Sequence, residues 1–129
     1  MVDPIAPWRA RGRTWAGLAF WSALVLMTLA ALWPIAIAPP VSHADKLVHL
    51  LAYAVLGTLA RFAGLWRPGT GGGLARWLAP FCLGLHGLGI EIAQGFLPPR
   101  QTSWADAVAN GAGLLLAWLL ARHSFRRGG

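Results

Sequence analysis

Apolar residues fill four long runs, at about residues 15–37, 45–66, 77–97 and 104–121. Each approaches the roughly 20 residues that a helix needs to cross about 30 Å of hydrocarbon. Proline and glycine mark the breaks: Ala38-Pro39-Pro40-Val41, then Arg67-Pro68-Gly69-Thr70-Gly71-Gly72-Gly73, then Pro98-Pro99-Arg100-Gln101-Thr102. The pattern predicts an all-α integral membrane protein, with four transmembrane helices arranged as two helical hairpins in a single domain over residues 1–129. Six tryptophans, Trp8, Trp15, Trp33, Trp66, Trp77 and Trp104, fall near the ends of the runs, as an interfacial aromatic belt places them.

The polar residues inside the runs are few and share faces. At 100° per residue, and taking Asp45 as zero, His49 falls at about 40°, Tyr53 at about 80° and Lys46 at about 100°. Glu91 and Gln94 lie about 60° apart, with Gly84 and Gly87 on the same stripe. Asp106, Asn110, Gly113 and Ala117 fall within about 60°. Runs two, three and four therefore each carry one polar, small-residue face, suited to close helix contact and cross-helix hydrogen bonds. At 1.5 Å per residue, His49, Tyr53, Glu91, Gln94 and Asn110 all lie within about 10 Å of one end. Asp45, Lys46, Arg100 and Asp106 sit at its rim. The expectation is one polar pocket between spans two, three and four. Run one is apolar where run three has Glu91 and Gln94.

Charge supplies the orientation. Nine of the 11 basic residues flank the N-terminus (Arg9, Arg11, Arg13), the middle loop (Arg61, Arg67, Arg76) or the C-terminus (Arg122, Arg126, Arg127). Only Lys46 and Arg100 lie on the other side. The positive-inside rule then puts both termini in the cytoplasm and the polar pocket at the outer leaflet. A net charge of +7 in a soluble chain would raise nucleic-acid binding. With 57% hydrophobic and 12% charged residues, and no recognition motif, the charge reads as topology and contact with anionic lipid. The one cysteine, Cys82, excludes an intrachain disulfide and reads as a small packing residue.

Several features have simpler readings. Ser42-x-x-Asp45 and Ser103-x-x-Asp106 are variants of the capping box, so both aspartates have a structural job at helix starts. Glu91, about two turns inside a span, has none and is the stronger candidate for chemistry. His86 reads as a hydrogen-bonded helix contact rather than a ligand. Arg61 reads as a residue snorkelling to the surface. The glycine-rich loop lacks the Gly-Lys-Ser/Thr of a phosphate loop. Ala36-Ile37-Ala38 resembles a signal-peptidase site, but its apolar run is long for a leader and Pro39 follows it. A short echo, Ser42-x-Ala44-Asp45-x-x-x-His49 against Ser103-x-Ala105-Asp106-x-x-x-Asn110, suggests two related hairpins.

Asp45-Lys46-x-x-His49-x-x-x-Tyr53, Glu91-x-x-Gln94 and Pro99-Arg100-x-x-Ser103-x-x-Asp106-x-x-x-Asn110-x-x-Gly113 resemble the VanZ-like family, named for a teicoplanin-resistance protein. The match covers about residues 45–113. It implies a small multi-pass protein of the bacterial cytoplasmic (inner) membrane, linked to the cell envelope. It transfers a residue signature and no particular reaction. The functional expectation is a pocket that binds or modifies an amphiphilic envelope component or an antibiotic such as a glycopeptide. Glu91 and His49 are the candidate catalytic pair. Lys46 and Arg100 face phosphate or carboxylate headgroups. A small proton-coupled transporter built on Glu91 and a non-catalytic assembly factor are the alternatives. Expected partners are membrane lipid, the envelope amphiphile and, as an option, a second copy in a homo-oligomer. No cofactor and no metal are expected, since no complete ligand motif is present. His49, Glu91 and Asp106 are the residues that would hold a divalent ion if their helices bring them together.

Overall fold

A computed structural model describes residues 5–33, 43–66, 73–98 and 102–126. The described residues form four α-helices and no strand: α1 (Ala6–Leu32), α2 (His43–Phe62), α3 (Ala75–Gly95) and α4 (Trp104–Arg126). The possible leader-cleavage site at Ala36–Ala38, Ser42, the Pro39-Pro40 loop, the span 67–72 of the glycine-rich loop and Pro99, Arg100 and Gln101 lie outside the described residues.

Several helix boundaries differ from the hydropathy pattern; α2, for one, ends at Phe62, four residues before its run does. α1 begins nine residues before its apolar run, with Pro7 in its first turn and Arg9, Arg11 and Arg13 already helical. Proline is accepted there because its missing N–H has no intrahelical partner. α4 runs five residues past its apolar run, to Arg126. Arginine is a good helix former, so polarity ends the apolar run without ending the helix. α1 stops at Trp33, whose extended backbone (φ −67°, ψ 130°) suits the residue before Pro34. Among the described residues, two helices, over Pro7–Leu32 and Trp104–His123, are long and apolar enough to cross a membrane.

α2 packs most extensively on α4. The contacts match in order along both helices: Lys46 meets Asp106, His49 meets Asn110, Ala54 meets Gly113 and Gly57 meets Ala117. The pair is therefore parallel. A methyl built on Gly113 falls against the Leu50 carbonyl oxygen, 2.9 Å from Ala54 N and 3.0 Å from Tyr53 Cβ. One built on Gly57 lies 2.7 Å from Ala117 Cβ. Only glycine permits this approach of backbones. α1 touches α2 and α3 and makes no contact with α4.

Phe20, Tyr53, Leu56, Ala60, Trp66, Leu83, Leu114 and Ala117 form the core. Trp66 departs from the belt expectation and is almost wholly buried, while Trp8, Trp15, Trp33, Trp77 and Trp104 are exposed. The cause is the turn after α2. Gly64 adopts φ +76°, and Leu65 and Trp66 both return their N–H groups to the Ala60 carbonyl. That glycine stop folds Trp66 back beneath the bundle, against Gly57. Cys82 is exposed on α3 rather than packed, because the buried side of that helix is held by Leu83, Gly87, Ile90 and Glu91.

Candidate functional site: a polar junction beside an apolar cavity

The starts of α2 and α4 and the end of α3 meet at one end of the bundle. α4 begins with a cap, in which the Ser103 hydroxyl accepts a hydrogen bond from Asp106 N–H at 3.3 Å. In the reciprocal half of a capping box, the acidic residue three places on would take the Ser103 N–H. Here Glu91 on α3 takes it instead, through Oε2 at 3.4 Å. This reverses the expected division of labour. Glu91 closes the start of α4, and the Asp106 carboxylate is left for another partner.

That partner is charged. Lys46 Nζ lies 3.6 Å from Asp106 Oδ1. The ammonium keeps about a third of its surface in contact with solvent, while the carboxylate keeps almost none. His49 stands at the centre. Its Nδ1 is 2.9 Å from Asn110 Oδ1 and 3.5 Å from Glu91 Oε1. Both are acceptors, and the tautomer with its proton on Nδ1 donates to them. Nε2 then faces Asp45 Oδ1 at 3.9 Å. Asp45, half-exposed, forms the rim.

The polar interior is incompletely satisfied. Glu91, Asp106 and Asn110 are each at most 5% exposed. Among the described residues, Glu91 Oε1, Asp106 Oδ1 and Asn110 Nδ2 have no hydrogen-bond partner. Buried polar atoms normally find one, and each exception asks for a cause. Among the described residues, one donor set is compatible with a metal: Asp45, His49 and Asp106 offer ligand atoms that all lie within 4.8 Å of one another.

A second hydrogen-bonded chain crosses the bundle deeper down. His86 on α3 is 2.8 Å from the Tyr53 hydroxyl through Nδ1 and 2.9 Å from Thr28 Oγ1 through Nε2. It ties α2, α3 and α1 together. Gly87 leaves the space that Tyr53 and Asn110 occupy, since a methyl there would sit 3.0–3.1 Å from both.

The expected site residues thus divide into groups. Asp45, Lys46, His49, Glu91, Asp106 and Asn110 come together. Tyr53 turns toward His86, and Gln94 turns to α1, donating through Nε2 to the Ala31 carbonyl at 2.9 Å. Arg100 lies outside the described residues. Beside the polar junction, walled by α1, α2 and α3, lies a cavity of about 220 Å³. Met27, Ala30, Ala31, Val48, Ala52 and Ile90 supply its apolar wall, and Asp45, His49, Tyr53, His86 and Gln94 its polar edge. Helical periodicity did not find α1 as a wall. The available signals were Thr28, one of two hydroxyl residues in an apolar run, and the small residues Ala30 and Ala31 near it.

Compared with protein-family models, with curated proteins and with solved structures, the chain finds no match.

Proposed function

We propose that this chain is a multi-pass, VanZ-like protein of the bacterial cytoplasmic membrane that binds an amphiphilic envelope component at the outer leaflet. All four helices cross the bilayer in this reading, with both termini in the cytoplasm. Support for insertion comes from the outer faces of the bundle. Val25, Leu26, Val48, Leu78, Phe81, Val108 and Leu115 are all more than half exposed. A soluble monomer rarely leaves so much contiguous apolar surface in water. Support for the orientation comes from Arg9, Arg11, Arg13, Arg61, Arg76 and Arg122, which lie at the opposite end from the polar junction.

The observation that carries binding is the cavity. Its apolar wall suits an acyl or prenyl chain, and its edge at Asp45, His49 and Gln94 suits a polar head. Lys46, next to Asp45 in the chain and partly solvated, is the cation at this end of α2 to meet an anionic group. At about 220 Å³ the cavity exceeds the 150 Å³ space that accepts benzene in an apolar protein core.

The test is native mass spectrometry of the chain extracted from bacterial membranes. A discrete amphiphile is expected to stay bound to the wild type. Ala52→Trp, which fills the cavity from α2, is expected to release it while the helical content is unchanged. Retention of the same adduct in the same amount by Ala52→Trp would sink the proposal.

A further inference from the structure

We infer that Asp45, His49 and Asp106 form a binding site for one divalent transition-metal ion, with Glu91 and Asn110 holding the histidine in the ligating orientation. The inference goes beyond the amphiphile reading and stands or falls without it.

Three facts carry it. The first is proximity: one nitrogen and two carboxylate oxygens, drawn from α2 and α4, lie within 4.8 Å of one another. Ligands at about 2.0–2.2 Å from an ion are up to about 4.4 Å apart, so small side-chain rotations complete the set. The second is the state of His49. Asn110 Oδ1 at 2.9 Å and Glu91 Oε1 at 3.5 Å both take the Nδ1 side of the ring. In the tautomer with its proton on Nδ1, the Nε2 lone pair is presented toward Asp45, 3.9 Å away. A carboxylate or carbonyl behind the far nitrogen of a histidine is the usual support of a metal ligand. The third is the buried Asp106 carboxylate. It is 5% exposed, and its Oδ1 accepts no hydrogen bond. The serine cap that would explain it is completed by Glu91.

One group competes with the ion. Lys46 Nζ, 3.6 Å from Asp106 Oδ1, supplies positive charge at the same place. Its stem is long and partly solvated, so it can swing outward as the ion enters. One imidazole and two carboxylates suit Zn²⁺ or Mn²⁺ better than Mg²⁺, which prefers oxygen ligands alone. Asp45 and His49 also line the cavity, so the remaining coordination positions face it.

The experiment uses the full chain in lipid nanodiscs, purified with a tag free of histidine and stripped with a chelator. Zn²⁺ and Mn²⁺ are titrated by calorimetry, and Co²⁺ by its visible absorption. One ion per chain is expected. His49→Ala and Asp106→Asn are each expected to weaken binding by about 10-fold or more. Lys46→Met is expected to tighten it, a gain that lost packing does not produce. Circular dichroism identifies a variant that does not fold, and in that case Lys46→Met on the solvated rim decides alone. Absence of saturable binding overturns the inference. So does wild-type affinity in folded His49→Ala and Asp106→Asn, which would locate the ion on other histidines such as His43 or His123. Unchanged or weaker affinity in Lys46→Met overturns it as well.

Discussion

Gly113→Ala tests the α2–α4 seam directly. The added methyl falls against the Leu50 carbonyl oxygen and lies 2.9 Å from Ala54 N and 3.0 Å from Tyr53 Cβ. Two of these neighbours are backbone atoms of α2, which no rotamer change can move aside. The helices must separate. Overpacking of this kind costs about 1–3 kcal/mol, and backbone neighbours put the cost in the upper half of that range. A loss of about 2 kcal/mol lowers the folded-to-unfolded ratio about 30-fold. Gly111→Ala is the internal control. It lies on the same helix with nothing within 4 Å of its added methyl, so the helix-propensity gain of about 0.5–1 kcal/mol appears alone. Gly57→Ala falls between them, because its 2.7 Å neighbour is the Ala117 methyl rather than backbone. Denaturant unfolding in micelles, followed by circular dichroism, ranks the three. If Gly113→Ala is as stable as Gly111→Ala, the close parallel packing of α2 and α4 is wrong.

Two further outcomes follow from the hydrogen-bond geometry. Tyr53→Phe and Thr28→Val each remove one end of the chain through His86, so each is expected to cost about 1 kcal/mol. Together they should be non-additive by about 0.5 kcal/mol or more, since they share His86; strictly additive unfolding free energies refute the shared link. Glu91→Leu is expected to cost about 1 kcal/mol, because it removes the acceptor of the half-buried Ser103 N–H. Glu91→Gln keeps an acceptor for that N–H and should recover most of the loss. Equal instability of Leu and Gln at position 91 would show that the charge, not the cap, is what matters.

Much of this arrangement is legible in the chain. The 100° rule places His49, Glu91, Asp106 and Asn110 on facing stripes, and the helices bring all four together. It places Gly87, Gly113 and Ala117 on the same faces, and each is found at a close contact. The part that periodicity misses concerns partners. A capping box read along the chain pairs Ser103 with Asp106, whereas in space Glu91 reaches the same N–H from a neighbouring helix. Tyr53 shares the face of His49 but reaches a histidine on α3, because Gly87 opens the way to it. Trp66 looks interfacial from its position at the end of an apolar run; the left-handed Gly64 that turns it inward is a single residue with no periodic signal. α1, uncharged after Arg13, has no polar stripe to announce which side it turns to the cavity.

The in-register pairing of α2 with α4 also sets an order of events during synthesis. His49 and its partner Asn110 are 61 residues apart. At about 5–20 residues per second, a chain made from its N-terminus emits Asp45 and His49 about 3–12 s before the helix that satisfies them exists. For that interval α2 carries polar groups on a face whose mate has not been made. The glycine seam can therefore close only as the last step of assembly, and a chain truncated before α4 leaves the most polar helix of the protein without its counterpart.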